Sequence, residues 1–176
     1  MPEPVRGVAR ARRGPGLVAL LLCVLARTAP AEDASPLLVE ARLGPVVFRT
    51  VERAAARLAD PACAMVLDDF DDLRTGRPLA ETLAASGRTP SGFLASLRFV
   101  DADHMVQCRY RTPWAWIPVG GDVVFVCKSR FLALVKKNEW LAGNVLVHET
   151  LHSLGLGENP PRSEEITEAV ARRCGR

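Results

Sequence analysis

The sequence predicts an α+β fold in which a small mixed or antiparallel sheet lies between two groups of helices. Apolar residues recur at helical spacing before about residue 96 and after about residue 138, whereas residues 97–127 hold short β-type runs separated by Pro and Gly. Helices, strands and helices therefore follow one another in blocks, which favours α+β over repeated βαβ units. The 176-residue chain is 48% hydrophobic and 24% charged, a composition typical of a globular protein.

The first 31 residues have the three-part layout of a secretory signal peptide. Residues 1–13 are basic, residues 16–26 form an apolar run, and Ala29-Pro30-Ala31 matches the small-x-small cleavage pattern. The apolar run is too short for a permanent membrane span, so we expect no stable membrane insertion. The prediction is a secreted or periplasmic protein whose single domain, residues 32–176, is a monomer.

The net charge of the predicted domain argues against two classes of partner. The whole chain carries +3, but residues 32–176 contain 18 basic and 19 acidic residues, a net charge of −1. A near-neutral domain lacks the basic surface that nucleic acid or an anionic membrane requires. We therefore expect no nucleic-acid partner.

Four cysteines of the predicted domain, an even number, point to two disulfides in an oxidising compartment. Three pairings are possible. Cys108 and Cys127 flank a turn-rich segment that reads as a hairpin, which favours that pair and leaves Cys63 with Cys174. A zinc site made of four cysteines is disfavoured because no two share a C-x-x-C spacing.

The N-terminal half contains one clear amphipathic helix and two shorter candidates. Apolar residues at helical spacing predict a helix over about residues 45–59, ended by Asp60-Pro61. A second helix is predicted over 78–86 and a third opening at Ser91. Between them, Asp68, Asp69, Asp71 and Asp72 suit either a calcium site or a solvated surface turn, although they lack EF-hand spacing.

The middle of the chain predicts strands at about 97–100, 105–110, 114–119 and 123–127. Gly120-Gly121-Asp122 reads as the turn between the last two. Pro113 and Pro118 bracket the Trp-rich segment and favour an edge position for it, because proline removes a ladder donor. Trp114 and Trp116 are expected either to line a substrate cleft or to pack against the core.

Two helices are predicted near the C-terminus. Apolar residues and two histidines share a broad face from about Asn138, and Gly155 and Gly157 end this helix. Ser163 is a suitable N-cap for a last helix that runs to about Cys174, with acidic residues in its first turn.

The first of these helices contains His148-Glu149-Thr150-Leu151-His152, an H-E-x-x-H sequence. Histidines four residues apart are about 40° apart around a helix and roughly 6 Å apart along it, so both imidazoles reach one ion. Zn²⁺ accepts neutral imidazole, and a catalytic site leaves one position open for water. Glu149 lies where it can accept that water's proton.

The longer run H-E-T-L-H-S-L-G-L-G-E, residues 148–158, resembles the zinc-binding signature of metzincin metallopeptidases, above all the matrixins. The resemblance implies a zincin-like fold, a Zn²⁺ cofactor held by His148 and His152, Glu149 as catalytic general base, and Gly155 as turn glycine. It covers eleven positions and departs from the family twice. Glu158 stands where the family has a third histidine, and no methionine follows the motif to form a Met-turn.

The missing third histidine leaves the third ligand open. Glu158 is one candidate, because zinc accepts carboxylate oxygen. The gluzincin pattern, which takes a glutamate from the next helix, suggests Glu165, with Glu164 and Glu168 as further choices.

With either ligand set, the sequence predicts an exported zinc metallopeptidase that acts on a protein or peptide substrate. The alternatives are a non-catalytic metal-binding or protein-interaction domain on the same scaffold and a hydrolase of another amide or ester.

Overall fold

The structure, a computed structural model, describes residues 36–110 and 113–175. They belong to one unit, Glu32–Arg176. The predicted signal peptide lies outside the described residues. Within those residues, no helix has both the length and the apolar character needed to cross a bilayer.

A four-stranded mixed sheet forms one layer of the fold. Its strands are β1 (Leu38–Val39), β2 (Arg98–Asp101), β3 (Ala115–Trp116) and β4 (Val123–Val126), in the order β1-β2-β4-β3. Strands β1, β2 and β4 are parallel, and β3 alone runs antiparallel, against β4. The predicted edge position of the Trp-rich segment is confirmed, because β3 is the last strand of the sheet.

The described residues form eight α-helices. These are α1 (Gly44–Leu58), α2 (Pro61–Ala64), α3 (Leu79–Ala85), α4 (Pro90–Ser96), α5 (Val106–Tyr110), α6 (Lys128–Lys137), α7 (Glu139–Ser153) and α8 (Ser163–Cys174), with 3-10 turns at Ala41–Leu43 and Met65–Asp68. The predicted helices correspond to α1, α3, α4, α7 and α8. The α+β class is therefore confirmed, with a mixed sheet.

Helix α1 follows from its apolar spacing. Val47, Val51, Ala54 and Leu58 lie on one buried stripe, each at most 1% exposed. After α1 the chain turns directly into the short α2. The Asp60 side chain caps the start of α2 by accepting a hydrogen bond from the Ala62 amide.

The prediction of a strand over 105–110 is wrong, because residues 106–110 form α5. Alternating apolar residues over six positions also fit one turn of helix. Here Met105 and Cys108, three residues apart, pack on one side against Ala102 and Cys127. The disulfide of Cys108 with Cys127 is compatible with this packing.

Helix α6 was not predicted, and the predicted N-cap of α8 is wrong by one residue. Phe131 and Leu134 bury one side of α6, and Asp103 accepts hydrogen bonds from the amide and hydroxyl of Ser129 in its first turn. Ser163 is the first residue of α8 rather than its cap. Arg162 occupies the cap position, where its amide donates to the Glu165 carboxylate.

Helix α7 lies at the centre of the molecule. It contacts α1, α4, α6 and α8 and also β3, and residues 142–153 are all buried. The Asn138 side chain caps its N-terminus by accepting from the Leu141 amide. A helix enclosed in this way holds side chains at fixed positions, which matters for the two histidines near its end.

Two disulfides connect distant parts of the chain, and the predicted pairing is confirmed. Cys63–Cys174 ties α2 to the end of α8, and Cys108–Cys127 ties α5 to the residue after β4. These bonds are compatible with an extracellular location.

Candidate metal centre

Three side chains converge at the end of α7. His148 and His152 are each 6% exposed, and their Nε2 atoms lie 2.9 Å apart. Glu158 comes from the segment after the helix, and one ligand atom from each of the three residues lies within 4.8 Å of the others. Across residues 36–110 and 113–175, no other set of three His, Cys, Asp or Glu side chains was found to converge in this way.

A backbone carbonyl fixes the orientation of His152. Its Nδ1 lies 2.9 Å from the carbonyl oxygen of Leu156, two residues before Glu158. A carbonyl can only accept a hydrogen bond, so Nδ1 carries the proton and Nε2 presents a lone pair. The ring is thereby held in the tautomer that binds a metal ion through Nε2.

A hydroxyl on the neighbouring helix supports His148. Its Nδ1 lies 3.1 Å from Oγ1 of Thr167 on α8, and a hydroxyl can either donate or accept. Without a cation, His148 Nε2–H can donate to His152 Nε2 while Thr167 donates to Nδ1. With a cation bound, Nδ1–H would donate to Thr167, and the two Nε2 atoms would be free to hold the ion. The donor set therefore fits a divalent metal.

Burial keeps the His148 imidazole in the form that binds a metal ion. Desolvation and, to a lesser degree, the charge of His152 lower the pKa of His148 to about 3. At neutral pH the ring is therefore uncharged, as metal coordination requires.

Glu149 lies beside the three converging side chains and is 7% exposed. Burial first, and the negative charge of Glu158 second, raise its pKa well above the usual range, against a hydrogen bond from the backbone amide of Ile117. A cation held by the neighbouring ligands would lower the pKa of Glu149, because positive charge favours the ionised carboxylate.

The turn that brings Glu158 back to the histidines depends on Gly155. Its φ is +113°, which favours glycine, and the predicted role of Gly155 in ending the helix is confirmed. A Cβ at this position would lie 2.8 Å from Cγ of Asp72. The Leu73 amide also donates to the Gly155 carbonyl, so the turn packs directly against the acidic segment.

Two of the four aspartates at 68–72 have protein partners, and the other two, Asp68 and Asp71, are exposed to solvent. Asp72 accepts from the amides of Arg74 and Thr75 and from the Thr82 hydroxyl. These contacts lower its pKa, the Arg74 amide most of all. Asp69 pairs with Arg173 on α8. The described carboxylates of this segment do not converge as calcium ligands, and Asp72 supports the Gly155 turn instead.

The structure separates the candidates for the third ligand. Glu158 joins the histidines, whereas Glu165 pairs with Arg162 at the start of α8. Glu164 and Glu168 do not belong to the converging group and line a cavity beside it.

Two adjoining cavities open at this place. The smaller, about 170 Å³, is lined by His148, His152, Glu149, Glu158 and residues in and next to β3. The larger, about 490 Å³, shares His148 and Glu149 with it and extends between β3, α7 and α8.

The two tryptophans have different surroundings. Trp114 is 39% exposed and lines the larger cavity. Trp116 lines the smaller cavity and stacks on Phe125 of β4, with ring centroids 4.3 Å apart. Both tryptophans therefore line a cavity, and Trp116 in addition packs against the neighbouring strand.

Sequence reasoning missed the residues that hold the histidines. No sequence motif marks these two groups. Thr167 reaches His148 because α8 packs against α7, and the Leu156 carbonyl reaches His152 because of the turn after α7. The one available signal was Gly155, since a turn after H-E-x-x-H returns the backbone toward the second histidine.

No protein-family model, curated protein or solved structure matches this chain.

Proposed function

We propose that this protein is an exported, zincin-like metallopeptidase that cleaves peptide bonds with a Zn²⁺ ion held by His148, His152 and Glu158. The convergence of these three ligand atoms within 4.8 Å carries the proposal. Two imidazoles and one carboxylate are a typical ligand set for catalytic zinc. The mixed sheet with an antiparallel edge strand next to α7 supports a zincin-like arrangement.

When bound, zinc supplies a Lewis acid that polarises a carbonyl oxygen and lowers the pKa of water to about 7. Glu149 lines the same cavity as the three ligands and accepts the proton of the attacking water. It then delivers a proton to the leaving amine. Thr167 and the Leu156 carbonyl hold the two imidazoles in place throughout.

An edge strand with which a substrate backbone can pair lies beside this cavity. Strand β3 is the edge of the sheet, and Ala115 and Trp116 line the small cavity. An extended peptide can hydrogen-bond to such an edge as an added strand. This would bring a peptide carbonyl to the side of Glu149.

Metal analysis and peptide digestion of matched variants test the proposal. Wild type should contain about one zinc per chain, and His148→Ala or Glu158→Ala should lose it. His104, the third histidine, is exposed and outside the group, so His104→Ala should keep zinc, as should Glu165→Ala. Glu149→Gln should keep zinc and lose about 10²–10⁴-fold in hydrolysis of a peptide library.

Two results would contradict the proposal in different ways. Wild type that contains no zinc after exposure to zinc would show that these three residues do not form a zinc site. Zinc-loaded wild type that cleaves no peptide would favour a non-catalytic metal-binding domain, and cleavage of small amides or esters alone would favour a different hydrolase.

A further inference from the structure

The larger cavity beside the metal centre has an apolar wall and an acidic mouth. Leu141 and Val145 of α7 and the indole of Trp114 form the wall. Glu164 and Glu168 of α8 line the same cavity and are exposed to solvent. Among the described residues, no lysine or arginine lines it.

The cavity is continuous with the proposed reaction site. His148 and Glu149, both at least nine-tenths buried, line the larger and the smaller cavity alike. His148 is one of the three converging residues, so a group that enters the larger cavity lies next to the candidate metal centre.

The interaction of Glu164 with Glu168 does not stabilise α8. They are four residues apart and therefore lie on one face of the helix, where like charges repel. The helix dipole favours Glu164 in the first turn but not Glu168 beyond it. Within the described residues neither forms an ion pair, whereas the neighbouring Glu165 pairs with Arg162.

We propose that this cavity receives a lysine or arginine side chain of the substrate, adjacent to the cleaved peptide bond. Such a side chain has an aliphatic stem that matches the wall of Leu141, Val145 and Trp114, and a cationic end that matches Glu164 and Glu168. This specificity rests on the proposed peptidase function. The volume of about 490 Å³ accommodates an extended side chain together with solvent.

The hydrolytic test compares otherwise identical peptides that carry arginine, norleucine or glutamate at each position flanking the cleaved bond. Wild type should prefer arginine over norleucine in kcat/KM, and Glu164→Gln/Glu168→Gln should reduce that preference roughly tenfold, the effect of two partly exposed ion pairs. The zinc content should stay unchanged, and the norleucine rate is the reference against which the loss for arginine is measured. Glu165→Gln on the same helix is the matched control and should retain the preference.

A binding test separates failure of this specificity from failure of the peptidase proposal. Calorimetric titration of metal-free wild type and of zinc-loaded Glu149→Gln should show tighter binding of the arginine peptide. The difference should shrink as ionic strength rises from about 0.01 M to about 1 M, because salt screens exposed charges. Arginine-selective binding that requires both glutamates, without hydrolysis, would overturn the peptidase function alone. Hydrolysis with no arginine preference, or a preference untouched by the double substitution in folded protein, would overturn the specificity.

Discussion

Replacement of Gly155 by alanine is the sharpest test of how the turn builds the metal centre. The backbone at Gly155 has φ of +113°, a conformation that costs an L-residue about 1–2 kcal/mol. The new Cβ would also lie 2.8 Å from Cγ of Asp72 and 3.0 Å from both carboxylate oxygens, and such overpacking typically costs about 1–3 kcal/mol. We therefore expect a loss of about 2–5 kcal/mol in the free energy of unfolding.

The same substitution should weaken metal binding. Relief of the contact with Asp72 moves the turn, and with it the Leu156 carbonyl that orients His152. Loss of such a supporting hydrogen bond typically costs about 10–100-fold in metal affinity. Urea unfolding of the metal-free protein measures the first effect, and competition with a chromogenic zinc chelator measures the second.

Gly87→Ala provides the matched control. Gly87 has φ of +69°, but a Cβ there meets no atom within 4 Å, so only the conformational cost of about 1–2 kcal/mol applies. Adding Asp72→Ala to Gly155→Ala should recover part of the loss, as a coupling of about 1–3 kcal/mol in a double-mutant cycle. If Gly155→Ala is no less stable than Gly87→Ala and binds zinc as wild type does, the Gly155 turn does not build the metal centre in this way.

Three further predictions concern the supports of the site. Thr167→Val should weaken zinc binding by about tenfold in chelator competition while Thr167→Ser retains it; equal affinities would contradict the hydroxyl's role. Removal of Cys63–Cys174 should cost about 5 kcal/mol and of Cys108–Cys127 about 3 kcal/mol in urea unfolding, because the first closes the longer loop; the reverse order would contradict this. The lowered pKa of Asp72 contributes stability that is present above pH 3.8 and is lost as pH falls through the folded-state pKa. Unfolding at successive pH values should therefore show a shallower acid dependence in Asp72→Asn than in wild type.

The helices with long apolar stripes were predictable because their pattern is local. Val47, Val51, Ala54 and Leu58 repeat at the helical period, and the structure buries them together in α1. The strand prediction for residues 105–110 failed because six residues of mixed polarity fit a strand and a single helical turn equally well. In the structure, Cys108 pairs with Cys127, and Met105 packs beside it, contacts that no local pattern contains.

The candidate metal centre likewise has a part that was predictable from local spacing and a part that was not. The i, i+4 spacing of His148 and His152 depends only on helix geometry, so the chain order alone was enough to propose a shared ion. The choice between Glu158 and Glu165 was not local, because both lie within reach along the chain. The Gly155 turn and the Arg162–Glu165 pair separate them in space.

The order of residues along the chain thus shows which side chains have the chemistry to bind a metal ion, and a single turn within α7 is enough to bring two of them together. Tertiary structure alone decided what surrounds them: the hydroxyl of Thr167 behind one ring, Asp72 beneath the turn, and the acidic mouth of the neighbouring cavity. Each of these features brings together residues from separate segments of the chain. The distances between those residues depend on how the segments pack rather than on any local preference.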